Sequence, residues 1–167
     1  MKKLLVVLSI VLMLVGCSTI KKNTIDNNER YYNLIEIIKE NDNFIEDSNY
    51  YDVKVEMATI NNGYRYYITI DNAHAAMYNI EAIAIELDSD YSNQMTANIG
   101  IFDELEYCMI PNQSNADKGF VEGLIISGTT KNQETTLYLL VQWYNKDYSQ
   151  QYREFFKLDT YYEALYE

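Results

Sequence analysis

Hydrophobic positions change their spacing along the chain, and each spacing predicts a different element. From Leu4 to Val15 they are continuous, broken only by Ser9. An apolar run of about a dozen residues behind Lys2 and Lys3 is too short to span a bilayer and suits a cleavable secretory signal over residues 1–16. Further on, Tyr31, Leu34, Ile35 and Ile38 fall at i, i+3, i+4 and i+7, which predicts one amphipathic helix over about residues 29–41. Asn33, Glu36, Lys39 and Glu40 face away from that stripe. Asn27 or Asn28 can cap its start, and Asn41-Asp42-Asn43 ends it.

From Tyr50 the period becomes two. Tyr51, Val53, Val55 and Met57 alternate with Asp52, Lys54, Glu56 and Ala58. Asn61-Asn62-Gly63 follows, a tight-turn signal because asparagine and glycine accept positive φ. Tyr64, Tyr66, Ile68 and Ile70 then alternate with Arg65, Tyr67, Thr69 and Asp71, so this is the clearest hairpin in the chain. Further strands are predicted over Tyr78–Leu87, with Ile83, Ile85 and Leu87 on one face, and over Thr96–Phe102, Leu105–Ile110 and Gly119–Ser127. Gly128 to Gln133 is read as a turn. Thr135–Tyr144 places Leu137, Leu139, Val141 and Trp143 on one face and Leu140 on the other, which suits a central strand with Trp143 buried between sheets. The last strand is Tyr152–Leu158, and residues 159–167 read as an acidic, tyrosine-rich tail with room for one helical turn. About seven or eight short strands after one helix predict a mainly β fold, an antiparallel sandwich over about residues 50–158. Residues 29–167 then form a single domain.

The apolar run closes on Leu14-Val15-Gly16-Cys17, which resembles the lipobox of bacterial lipoproteins. That resemblance implies acylation of the Cys17 thiol, cleavage before it, and a protein held by lipid on the extracytoplasmic face of the cell membrane. Residues 17–28 are polar and read as a flexible tether. The strand-rich part, roughly Tyr50 to Leu158, resembles the small immunoglobulin-like lipoproteins of low-GC Gram-positive bacteria. The likeness is carried by Asp103-Glu104-Leu105-Glu106-Tyr107 before Pro111-Asn112, by Gly119 to Gly128, and by the Trp143 strand. It implies an extracytoplasmic immunoglobulin-like sandwich and, without a diagnostic catalytic motif, little about chemistry; the inter-sheet disulfide of antibody-type domains, which would fix the topology, is absent from this chain.

Charge narrows the partners. The formal net charge is −12, and Lys2 and Lys3 belong to the signal, so the processed chain is more negative still. Such a field repels nucleic acid phosphates and anionic headgroups, which argues against nucleic acid binding and leaves membrane attachment to acyl chains. A protein or glycan partner at the cell envelope fits better.

Candidate chemistry is sparse. His74 is the single histidine, no Gly-x-Ser-x-Gly elbow exists, and Cys108 sits among Tyr107, Met109 and Ile110, as a small core residue would. A Cys108–His74 dyad would need something to lower the thiol pKa. Asp88 and Asp90, in Asp88-Ser89-Asp90-Tyr91-Ser92-Asn93, could offer oxygen ligands to Ca²⁺, with Ala97 or Asn98 near the distal ligand position, but a solvated turn between strands is the better reading. Glu104 and Glu106 would share a face in a strand-turn-strand, and paired carboxylates can hydrolyse glycosides, which makes a hydrolase centred on Glu104 the alternative to a binding role. No cofactor is expected. Tyr51, Tyr64 and Tyr66 fall on apolar strand faces and are expected in the core. Arg65, Tyr67, Tyr144, Tyr148 and Tyr152 are the candidate contact residues, since tyrosine and arginine supply rigid amphipathic area at interfaces. The expectation is therefore a non-enzymatic, membrane-anchored binding or envelope-assembly module, with the Glu104 hydrolase or a small-ligand or Ca²⁺ carrier as the alternatives.

Overall fold

The computed structural model describes residues 26–87, 89–91 and 96–163. Cys17 and most of the expected tether lie outside them. Helix α1 spans Asn27–Glu40 and begins before the expected start, because Asp26 is the cap: its side chain accepts the Asn28 N–H at 3.1 Å. Asn27 and Asn28 thus belong to the helix and not to a tether. The stripe of Tyr31, Leu34, Ile35 and Ile38 is buried as its spacing predicts. Glu29 in the first turn and Lys39 in the last complement the helix dipole.

Eight strands follow, in two antiparallel sheets that pack as a β-sandwich. Strands β1 (Asp52–Ile60), β2 (Gly63–Asp71) and β6 (Gly123–Thr130) form a small sheet in the order β1-β2-β6. Strands β3 (Met77–Ile85), β4 (Ala97–Ile99), β7 (Glu134–Tyr144) and β8 (Gln151–Tyr161) form a larger one, ordered β4-β3-β7-β8, and β5 (Tyr107–Met109) also pairs with β3. The β1–β2 hairpin turns through Asn61 and Asn62, with Ile60 opposite Gly63. Of the three turn residues only Gly63 has positive φ, at 124°, and a Cβ there would lie 2.5 Å from the Thr130 carbonyl oxygen. The glycine is needed where β6 closes in, more than for the turn itself.

Two cores result, because the larger sheet is apolar on both faces. Between the sheets, Ile68, Ile70, Leu124 and Ile126 meet Ile80, Ala82, Leu139, Val141, Trp143 and Phe156. On the opposite face, Ile83, Ile85 and Leu140 receive the apolar stripe of α1. The molecule is layered helix, large sheet, small sheet, and the outer face of the small sheet carries no layer among the described residues. Ile45, just past the helix, makes a parallel bridge to Phe156 and covers the edge of β8.

Several boundaries differ from the sequence reading. β3 ends at Ile85, so Leu87 lies beyond the strand and is exposed. Gly128 is not in a turn. It lies in β6 opposite Tyr66, and a Cβ there would sit 2.2 Å from the Tyr66 hydroxyl, so its missing side chain makes room for that ring. The strand β8 continues through Asp159, Thr160 and Tyr161, which pair with Thr136, Thr135 and Glu134, so the supposed tail begins as strand. Residues 164–167 lie outside the described set. Tyr51 and Tyr66 are buried, whereas Tyr64 is half-buried with its ring 5.6 Å from that of Tyr162.

Candidate functional site

The candidate contact residues do not form one surface. Alternation along β2 turns Tyr66, Ile68 and Ile70 inward and leaves Arg65 and Tyr67 on the bare outer face of the small sheet. There Tyr67 stands opposite Glu56 and Ser127, next to Ile125, which is 63% exposed. Tyr144 shares its β7 face with Gln142 and Leu140, the face that α1 covers further along, so it lies on the other side of the sandwich. Tyr152 turns inward, a correction to its expected exposure. Its ring stacks on Trp143 with centroids 5.4 Å apart and an interplanar angle of 10°, and Tyr50 completes the cluster. Its place on β8 in register with Trp143 sets that direction.

Tyr144 and Tyr148 do come together. Their rings stack at 5.6 Å, and Tyr78 stands opposite Tyr144 in the β3–β7 register. Tyr148 lies in the turn between β7 and β8 with φ 58°, a left-handed conformation uncommon for an aromatic residue. Two things hold it: the turn, in which the Tyr148 N–H donates to the Asn145 carbonyl at 3.0 Å, and a 2.8 Å hydrogen bond from its hydroxyl to Glu106 Oε2. That bond to a carboxylate, with partial burial, pushes the Tyr148 phenol up to about 12. The ring nevertheless remains 46% exposed. The cluster joins two features that are separate in the sequence, the acidic segment at Asp103–Glu106 and the tyrosines of the last hairpin.

That acidic segment is not a strand-turn-strand, so the shared face expected for Glu104 and Glu106 is lost. β5 begins only at Tyr107. Asp103 accepts the Gly100 N–H at 2.7 Å and Glu106 accepts Tyr148, while Glu104 is exposed in the loop between them. Cys108 is buried, and burial pushes its thiol up, away from the thiolate a nucleophile needs. His74 is exposed and lies beside Asn72 and Asp52. Asp88 falls outside the described residues. Asp90 is exposed, and among the described residues no three acidic, histidine or cysteine side chains gather as metal ligands. Ala97 is a buried core residue of β4, which removes it from a distal ligand position, and the half-buried Asn98 donates from Nδ2 to the Thr96 carbonyl at 2.8 Å.

A buried polar group escaped the sequence reading. Glu81, 1% exposed, faces the helix from the middle of β3. Arg30 Nη2 approaches its Oε1 at 2.5 Å, and Gln142 Nε2 donates to its Oε2 at 2.6 Å. Gln142 Oε1 in turn accepts from Arg153 Nε and Nη2 at 3.0 and 2.7 Å. Burial pushes the Glu81 carboxyl above the usual range, against the Gln142 hydrogen bond and the Arg30 charge. The only sequence signal was a lone carboxylate within a strand apolar on both faces.

No protein family, curated protein or solved structure matches the chain. Among the described residues no helix is long and apolar enough to cross a membrane.

Proposed function

We propose that this protein is an extracytoplasmic lipoprotein, acylated at Cys17, whose sandwich acts as a non-enzymatic binding module for a basic protein partner. The observation that carries the binding role is Tyr148: an exposed aromatic ring fixed in an unfavourable backbone conformation, stacked on Tyr144 and tied to Glu106. Uncommon backbone conformations persist where surrounding contacts over-determine them, and they concentrate at functional positions. A rigid aromatic face beside a carboxylate suits a lysine or arginine side chain, through cation–π and charge contact together. The overall charge of −12 favours the same kind of partner. The signal pattern before Cys17 supports the anchor, and two sheets closed over a core tryptophan support an immunoglobulin-like relationship.

Capture of partners from crosslinked membranes tests the reading. Tyr148→Ala should reduce capture strongly, since hot-spot truncations cost about 2 kcal/mol or more. Capture should also weaken as salt rises past about 0.15 M. Unchanged capture by Tyr148→Ala in a folded protein would remove the cluster from the proposal. Glycan turnover abolished by Glu104→Gln would replace the binding module with a hydrolase.

A further inference from the structure

A second concavity lies at the corner between β2 and β3, its lining reaching β5 at Met109. It encloses about 660 Å³, within the range of small-molecule sites. Its lining is mixed, with the half-buried Ile110 and Val121 beside the carboxamides of Asn72, Asn112 and Gln113. From these residues the geometry points to a binding site for a neutral N-acetylated sugar.

The walls are built in advance of any ligand. The loop after β5 is pinned by bridges between Ile110 and Gln113, between Asn115 and Phe120, and between Cys108 and Phe120. Backbone hydrogen bonds of 2.7–3.1 Å run through it, including Gln113 N–H to the Ile110 carbonyl and Val121 N–H to the Cys108 carbonyl. Two asparagines on its wall hold left-handed backbone, Asn72 at φ 50° and Asn112 at φ 62°. Asn72 Nδ2 donates to Asp52 Oδ2 at 2.9 Å, which fixes that amide. The carboxamides of Asn112 and Gln113 and the hydroxyl of Ser114 make no hydrogen bond to other described residues, so their donors and acceptors are open to a ligand.

The lining selects the ligand's chemistry. It holds no lysine or arginine, and its one charged residue is Glu122, so phosphates and carboxylates are disfavoured. Carboxamides offer a donor and an acceptor on one plane, which complements vicinal hydroxyls and an acetamido group. The acetyl methyl would pack against the half-buried Ile110 and Val121. A peptide is the poorer fit. Strand addition needs a free backbone edge, and β5 is engaged on both sides, by β3 and by the bridge from Cys108 to Phe120.

The inference stands apart from the anchored, protein-binding reading, because it can be tested with the intact chain in detergent. Titration with N,N′-diacetylchitobiose, followed by calorimetry, should show saturable binding. Asn112→Gly keeps the backbone conformation and removes the carboxamide, and Gln113→Ala removes the other. Each should weaken binding about tenfold, as loss of one well-made hydrogen bond to a ligand does. Tyr67→Ala, on the outer face of the small sheet, should leave it unchanged. Absence of binding at millimolar sugar would overturn the site. Affinity equal to that for cellobiose would overturn the acetamido assignment, and affinity unchanged in both carboxamide variants would place the sugar elsewhere.

Discussion

Trp143 makes more aromatic contacts than any other described residue. It is 2% exposed, edge-on to Tyr50 and Tyr51 and stacked on Tyr152. Truncation to alanine leaves a large cavity and should cost about 3–5 kcal/mol, a large share of a small domain's stability. Chemical denaturation of the variant checks this, and water-like tryptophan emission from the native protein would contradict the burial. At the same scale, Tyr148 titrates late because its proton is shared with a carboxylate. Replacing Glu106 by Gln should bring its pKa down from about 12 toward the ordinary tyrosine value, as read from the resonance of a ring-labelled Tyr148. An unmoved titration would mean that the hydrogen bond is not made in solution. Single residues were legible where one face settles the answer: Trp143, Cys108 and the stripe of α1 lie where their patterns predict. Tyr152 was not, since its strand could be drawn on either face until its register with Trp143 was known. The Tyr148–Glu106 contact joins positions 42 residues apart, and no local pattern encodes such a distance.

Between elements, the decisive contact is helix to sheet. Arg30 on α1, Glu81 on β3, Gln142 on β7 and Arg153 on β8 form one chain of polar contacts under the helix. The raised Glu81 pKa has a definite sign: the folded protein holds that proton to higher pH than the unfolded chain does. The stability it contributes is fully present below the unfolded value near 4.5 and is lost as pH rises through the folded one. Glu81→Gln keeps the shape without the titration, so stability against pH should flatten in that window, as a series of thermal melts at rising pH would read. A curve identical to the native one would show that Glu81 is not the titrating group. The long elements α1, β1, β2 and β7 announced themselves by strict periodicity over many residues. The short β4 and β5, of three residues each, offered too few alternations to fix their ends. Gly128 read as a turn because glycine usually breaks strands, and here a tyrosine ring across the ladder takes the space.

For the whole molecule, the proposed anchor makes a prediction that needs no structure. Cys17→Ala should leave the protein as an unprocessed precursor or release it from membranes, and intact-mass analysis of the native protein should find acyl chains on Cys17. An unmodified Cys17 on the mature chain would end the lipoprotein reading and leave the sandwich unaffected.

The placement of the Arg30–Glu81 pair has a mechanical side. Arg30 lies in the first turn of α1, so any pull on the chain ahead of Asp26 reaches this pair before it reaches the apolar stripe behind it. A force applied from that end would peel the helix turn by turn rather than shear it from the sheet at once. The first event would then be loss of the Arg30 contact to buried Glu81, which leaves that carboxyl to Gln142 and the charge of Arg153. Extension records that load the domain through its amino-terminal end should show a small early break, absent in Arg30→Ala, before the sandwich opens.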